Sequence, residues 1–205
     1  MLIDRAPRRQ LGFSLIETVV AMAVLVFMLA MAMPEAVSWI QGLKVRNAAE
    51  GIRAGIERAR MEALKTNGNV GFWLVADASS KVPGNGCDLA SNAATWVVSV
   101  TTPAGACAAE PSMTAGPRLV QSSGAVSGAD RLTVTALSAT DAAATRVRFN
   151  GLGQVIVEAG TIQVVDVVAS NGDGRRLRVV VETGGAVRMC DRDVAADDPR
   201  ACPVL

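Results

Sequence analysis

Few residue types in this chain can do covalent or acid–base chemistry. Among its 205 residues there is no histidine and no tyrosine. Without histidine there is no His-based triad, and zinc would need cysteine or carboxylate ligands. Serine, cysteine and carboxylate side chains remain, but no base partner for them is legible, so nothing points to an enzyme or a cofactor. The four cysteines are Cys87, Cys107, Cys190 and Cys202, and none form a CxxC pair. Zinc ribbons and thioredoxin-like chemistry are therefore disfavoured. Disulfides, which persist outside the cytoplasm, are the expected use, with buried free thiols as the alternative. Three pairings exist. The local ones, Cys87–Cys107 and Cys190–Cys202, are preferred, and the second would close a C-terminal loop worth roughly 3 kcal/mol in the chain-entropy model.

Two other patterns invite a chemical reading. Asp191, Asp193, Asp197 and Asp198 could bind calcium. They lack the glycine-centred spacing of a calcium loop, so a solvated acidic segment is favoured. Asn150-Gly-Leu-Gly and Asn171-Gly-Asp-Gly have neither the lysine nor the following helix of a phosphate-binding loop, so they read as turns.

One carboxylate is out of place. From Phe13 to Met33 the chain is apolar except for Glu17. At about 1.5 Å per residue a helix of that length crosses the ~30 Å hydrocarbon core. Arg5, Arg8 and Arg9 precede it, which predicts a cytoplasmic N-terminus and a domain outside the inner membrane. A secretory signal with Ala30-Met31-Ala32 as cleavage site, or a plain anchor, would explain the apolar run. Neither explains Glu17, whose burial in lipid costs a few kcal/mol. Overall net charge is +1 with a basic N-terminus, so the remainder has no cationic excess.

These elements imply a simple layout. Pro34 is expected to kink or locally break the helix. Beyond it Ala36, Val37, Ile40, Val45, Ala48, Ile52, Ile56, Ala59 and Ala63 form an apolar stripe, with Glu50, Arg53, Glu57, Arg58, Arg60 and Glu62 largely off it. Glu57 and Arg60 are placed to support each other at i,i+3. Thr66-Asn67-Gly68 reads as the helix end. After Asn69, short β-type runs alternate with turns: Val70–Val75, Trp96–Thr101, Leu132–Leu137, Thr145–Phe149, Gln154–Glu158, Ile162–Ala169, Arg176–Val181 and Ala186–Cys190. The last two look like a hairpin turning at Thr183-Gly184-Gly185. Ser79–Ala94 and Pro103–Pro117 read as long loops.

The string Gly12-Phe13-Ser14-Leu15-Ile16-Glu17 resembles the type III signal of prepilins and pseudopilins. The resemblance implies that a prepilin peptidase cuts after Gly12, that Phe13 becomes the N-methylated terminus, and that Glu17 pairs with the terminal amine of a neighbouring subunit during assembly. Ala59-Arg60-Met61-Glu62-Ala63 before the first strand, Phe149-Asn150-Gly151-Leu152-Gly153, and Arg175–Val181 followed by Gly184-Gly185-Ala186-Val187-Arg188-Met189-Cys190 resemble the GspH/FimT group. That likeness implies an α+β, pilin-like fold, a long N-terminal helix packed on an antiparallel β-sheet domain. The expected parts are a leader at 1–12, a helix at 13–66 with 13–33 in the membrane, and a periplasmic β-rich domain at 67–205.

Members of this group imply a low-abundance subunit that initiates pilus assembly near the tip, with other minor pilins, the major pilin and inner-membrane lipid as partners. GspH proteins do the equivalent in type II secretion pseudopili. Some FimT proteins bind DNA through a Gly-Arg-x-Arg motif. Here the matching segment is Gly185-Ala186-Val187-Arg188, so the first arginine is missing. Strand alternation puts Arg176 and Arg178 on one face, Arg188 could join them across the hairpin, and the three form the candidate DNA contact. DNA is the weaker partner reading, because a solvated hairpin face with Asp173, Glu182 and Asp191 nearby explains the same residues.

Overall fold

A computed structural model describes residues 14–79, 82–112, 114–124, 126, 129–172 and 174–203, with the side chains of residues 32–36 outside the description. Gly12 and Phe13 lie outside the described residues. The chain divides into two compact units, Met1–Ser38 and Trp39–Leu205. Helix α1, Leu15–Thr66, belongs to both.

In the first unit α1 is apolar on every side. Leu15, Ile16, Val20, Phe27, Leu29 and Met31 are all exposed, as is Glu17. A helix apolar all round needs lipid or other helices to cover it. Among the described residues no helix is long and apolar enough to cross a membrane. The helical assignment runs unbroken through Pro34, contrary to the expected interruption. One missing donor is bridged when the turns on both sides remain helical.

In the second unit the stripe of α1 narrows to small and β-branched residues. Val45, Ala48, Ala49, Ile52, Ile56, Ala59 and Ala63 are buried. Ile40, expected on the stripe, is exposed instead, as is Val37 in the first unit. Gly55 lies on the same side, and a Cβ there would stand 2.8 Å from the rings of Phe72 and Trp96. Those rings meet each other with centroids 5.8 Å apart. The helix ends in a Schellman-type cap: Asn67 is left-handed at φ 48°, Gly68 N–H donates to Ala63 O at 3.2 Å, and Asn67 N–H to Leu64 O at 3.4 Å.

Two antiparallel sheets share one core with this helix. The first holds β1 (Val70–Ala76), β2 (Asp88–Leu89), β3 (Trp96–Ser99), β4 (Leu119–Ser122) and β6 (Arg146–Phe149). Its order is β2-β1-β3-β4, with β6 also paired to β1. The second has the order β5-β7-β8-β9, from β5 (Leu132–Leu137), β7 (Val164–Ala169), β8 (Leu177–Val181) and β9 (Val187–Asp191). The pilin-like α+β expectation and the terminal hairpin agree with this architecture. Strand β2 lies within Ser79–Ala94, expected to be loop, and β4 had no sequence expectation; they are too short or too polar to stand out.

The expected strand Gln154–Glu158 is not one. Val155 N–H donates to Thr183 O at 3.0 Å in one direction, and Ile156 N–H to Arg148 O at 2.8 Å in the other. Ile162 and Gln163 likewise donate to Arg146 O and Leu137 O, so this segment stitches the two sheets together instead of joining either. Its alternation of apolar residues reflects contacts to both sides.

The close approach at Gly55 generates a test. Gly55→Leu should destabilise the protein by about 1–3 kcal/mol through overpacking against Phe72 and Trp96. Gly51→Ala, where a Cβ meets nothing within 4 Å, should be neutral or stabilising. Urea unfolding curves of the two variants provide the comparison.

Candidate functional site

The N-terminal determinant is built from helix chemistry alone. Glu17 sits in the first turn of α1, where a carboxylate is favoured by the helix dipole. Thr18 bonds back within the same turn, its hydroxyl donating to Leu15 O at 2.8 Å. Glu17 stands among exposed apolar side chains, so its charge becomes costly once those side chains are covered. Its expected counterpart, the amine of Phe13 after cleavage at Gly12, falls on residues outside the description.

A second constellation forms at the far end of α1. Arg60 Nε donates to Gly153 O at 3.1 Å, not to Glu57, which pairs with Arg53 at 2.9 Å. Gly153 has φ +73° and Gly185 φ +86°, and a Cβ on Gly185 would overlap the Gly153 carbonyl oxygen. On Gly151 a Cβ would stand 2.5 Å from Asn67 Oδ1. The helix end, the 150–153 turn and the β8–β9 turn therefore meet at one junction, which needs glycine at close backbone approaches. The three motifs far apart in sequence belong to one structural knot. Glu62, expected on the polar face, is buried, with Lys65 Nζ at 3.3 Å and Arg58 at 3.8 Å.

The cysteines form two disulfides, Cys87–Cys107 and Cys190–Cys202. Each covers the sheet face turned away from α1. Cys87 and Cys107 pack with Trp73, Val75, Val97 and Leu119; Cys190 and Cys202 pack with Val164, Val180 and Leu137.

The candidate DNA-contact residues do share one face of the second sheet, through the pairings Arg178↔Cys190 and Val180↔Arg188. Each is already matched to a carboxylate. Arg178 makes two bonds to Asp166, Nε–Oδ1 2.7 Å and Nη2–Oδ2 2.8 Å, and Arg192 adds a third at 2.8 Å. Arg176 binds Asp193 through both its guanidinium and its backbone N–H. Arg188 lies 3.2 Å from Glu182. The hydrogen bond to Asp166 raises the Arg178 pKa further, although partial burial opposes it. Partial desolvation pushes Asp193 up, but the Arg176 bonds outweigh it and hold its carboxyl below the ordinary range. The side-chain bond from Arg200, with a backbone bond beside it, lowers Asp198 to about 2. The aspartates expected as a solvated acidic segment are thus largely paired, and Asp191 is buried. Among the described residues no group of three or more His, Cys, Asp or Glu could hold a metal ion.

Asp166 and Arg192 had no place in the sequence reading. One charge in the valine run of β7, opposite Arg178 in the register, was the available signal.

A helix of prepilin type leading into a disulfide-stapled antiparallel domain defines a pilin-type subunit. The chain belongs to the GspH family: the profile described as "Type II transport protein GspH" matches residues 48–185, and the prokaryotic N-terminal methylation motif matches residues 7–33. No curated protein matches the sequence. The crystal structure of the type IV minor pilin FimU of Pseudomonas aeruginosa strain PAO1 in space group P21 is similar at 17% identity and TM-score 0.43, over 71% of this chain and 87% of that one. The P65 form gives 17% and 0.42, over 70% and 90%.

Two outcomes follow from the charge pairing. Arg178→Ala should cost about 2 kcal/mol, because Asp166 is left buried with Arg192 as its remaining guanidinium partner, whereas Arg188→Ala should change stability by less than about 0.5 kcal/mol; urea titration distinguishes them. Asp193 and Asp198 have depressed folded pKa values, so their contribution is present above the unfolded value of 3.8 and is lost as pH falls through the folded one. For Asp198 that window runs from 3.8 down to about 2, and amide exchange in the 193–200 segment should rise within it.

Proposed function

We propose that this chain is a minor type IV pilin that helps initiate pilus assembly and sits at or near the tip. The supporting observation is the tandem on one chain of an N-methylation motif at residues 7–33 and a GspH region at residues 48–185. In this reading the precursor crosses the inner membrane once, with its domain in the periplasm. The prepilin peptidase cuts after Gly12, and Phe13 is methylated. The all-round apolar character of α1 in the first unit supports a life first in lipid and then among other helices. Glu17 and the Phe13 amine of a neighbour are each costly alone in such surroundings and offset one another as a pair. The two disulfides suit an oxidising compartment.

The family's description favours a second reading, a minor pseudopilin of type II secretion. DNA reception through Arg176, Arg178 and Arg188 is the weakest, since a phosphate would have to displace Asp193, Asp166 and Glu182. A strain lacking the gene, scored for twitching, exoprotein secretion and transformation, separates the three. Loss of twitching with normal secretion is expected. Loss of secretion with normal pili would replace the pilus reading by the pseudopilin one.

A further inference from the structure

Where the end of α1 reaches the first sheet, a pocket of about 380 Å3 opens between Thr66, Asn69, Thr101, Arg118 and Arg148. Among the described residues no carboxylate lines it. Arg118 is exposed and held in a left-handed backbone, φ 55°, and among the described residues its guanidinium makes no ion pair or hydrogen bond. Arg148 sends Nη1 to Glu158 Oε1 at 2.9 Å. Its Nε is buried without a hydrogen-bond partner, and among the described residues it is the one buried side-chain nitrogen or oxygen in that state. A buried donor left unmet is destabilising.

The local charge is also unbalanced. Arg146 shares the same Glu158, at 3.5 Å, so two arginines divide one carboxylate there. The arginines Arg176, Arg178 and Arg188 of the second sheet, by contrast, each have a carboxylate in contact. Capping of the helix end does not account for the surplus, because the carbonyls of Ala63 and Leu64 already accept from Gly68 and Asn67. Thr66 and Thr101 donate their hydroxyls to backbone carbonyls, which leaves Arg118 and the part of the Arg148 guanidinium not held by Glu158 as the charged donors.

We propose that this pocket binds a single oxyanion group, a carboxylate or a phosphate, between the guanidinium groups of Arg118 and Arg148. Charge-assisted hydrogen bonds to a guanidinium favour this chemistry. A nucleic-acid strand would call for a row of cations, not one recess. The source is either an acidic side chain presented by a neighbouring protein subunit or a free phosphate ion.

The test uses the full chain in detergent micelles, labelled with [15N]arginine, and follows the Nε–Hε resonances by NMR at constant ionic strength. Sodium acetate and inorganic phosphate are titrated separately. Saturable shifts are expected at Arg118 and Arg148 but not at Arg178, which is held by Asp166. Saturation by acetate alone assigns the pocket to a carboxylate, by phosphate alone to phosphate, and by both to the shared oxyanion chemistry. Arg118→Gln, an exposed change that should leave the remaining spectrum intact, should weaken binding roughly tenfold. The proposal is overturned if neither anion moves these resonances at up to about 100 mM, where the screening length is still near 10 Å. It is equally overturned if Arg118→Gln leaves the affinity unchanged.

Discussion

A single helical face has to serve two sheets. The buried side of α1 from Val45 to Ala63 is built largely of alanine, isoleucine and a glycine, and residues of both sheets pack into the same core with it. Small residues let the strands approach closely, and the large side chains then come from the sheets: Phe72, Trp96 and Phe149. Gly55 is where this division is tightest, because two aromatic rings occupy the space a side chain would take. Taking this shared apolar face out of water stabilises the domain.

The same division leaves each sheet with a second face and no second helix to cover it. Loops do the covering, and loops lose much conformational entropy when ordered. The disulfides reduce that cost from the unfolded side. Cys87–Cys107 holds the connection that shields Trp73 and Val97, and Cys190–Cys202 holds the C-terminal tail over Val164 and Val180. The segment 154–163 completes the arrangement by giving its N–H groups to both sheets, and the glycine-rich turns at 150–153 and 183–185 lock it against the helix end.

Charge on the second sheet follows from this geometry. Asp166 lies mid-strand on the outer face, mostly buried, and demands guanidinium partners. Arg178 and Arg192 answer it, and Arg176 and Arg188 find their own carboxylates. The hairpin is therefore electrostatically closed. The cationic surplus lies on the first sheet, around Arg118 and Arg148, where no sequence motif had pointed.

By itself the sequence determined what depends on local order: the apolar run with its single carboxylate, the amphipathic stripe, the helix stop at Thr66-Asn67-Gly68, the terminal hairpin and the outer positions of most strands. Periodicity and turn chemistry are short-range, so they survive in one dimension. Tertiary structure alone decided which groups at a distance satisfy one another. Arg60 reaching Gly153, Glu62 buried beside two cations, Asp166 claiming Arg178, and Val155 and Ile156 donating to different sheets all depend on contacts made after the chain has closed. Strand alternation placed Arg176 and Arg178 on one face, which Arg188 joins across the hairpin, but it carries no information on how much of their charge the fold has already neutralised.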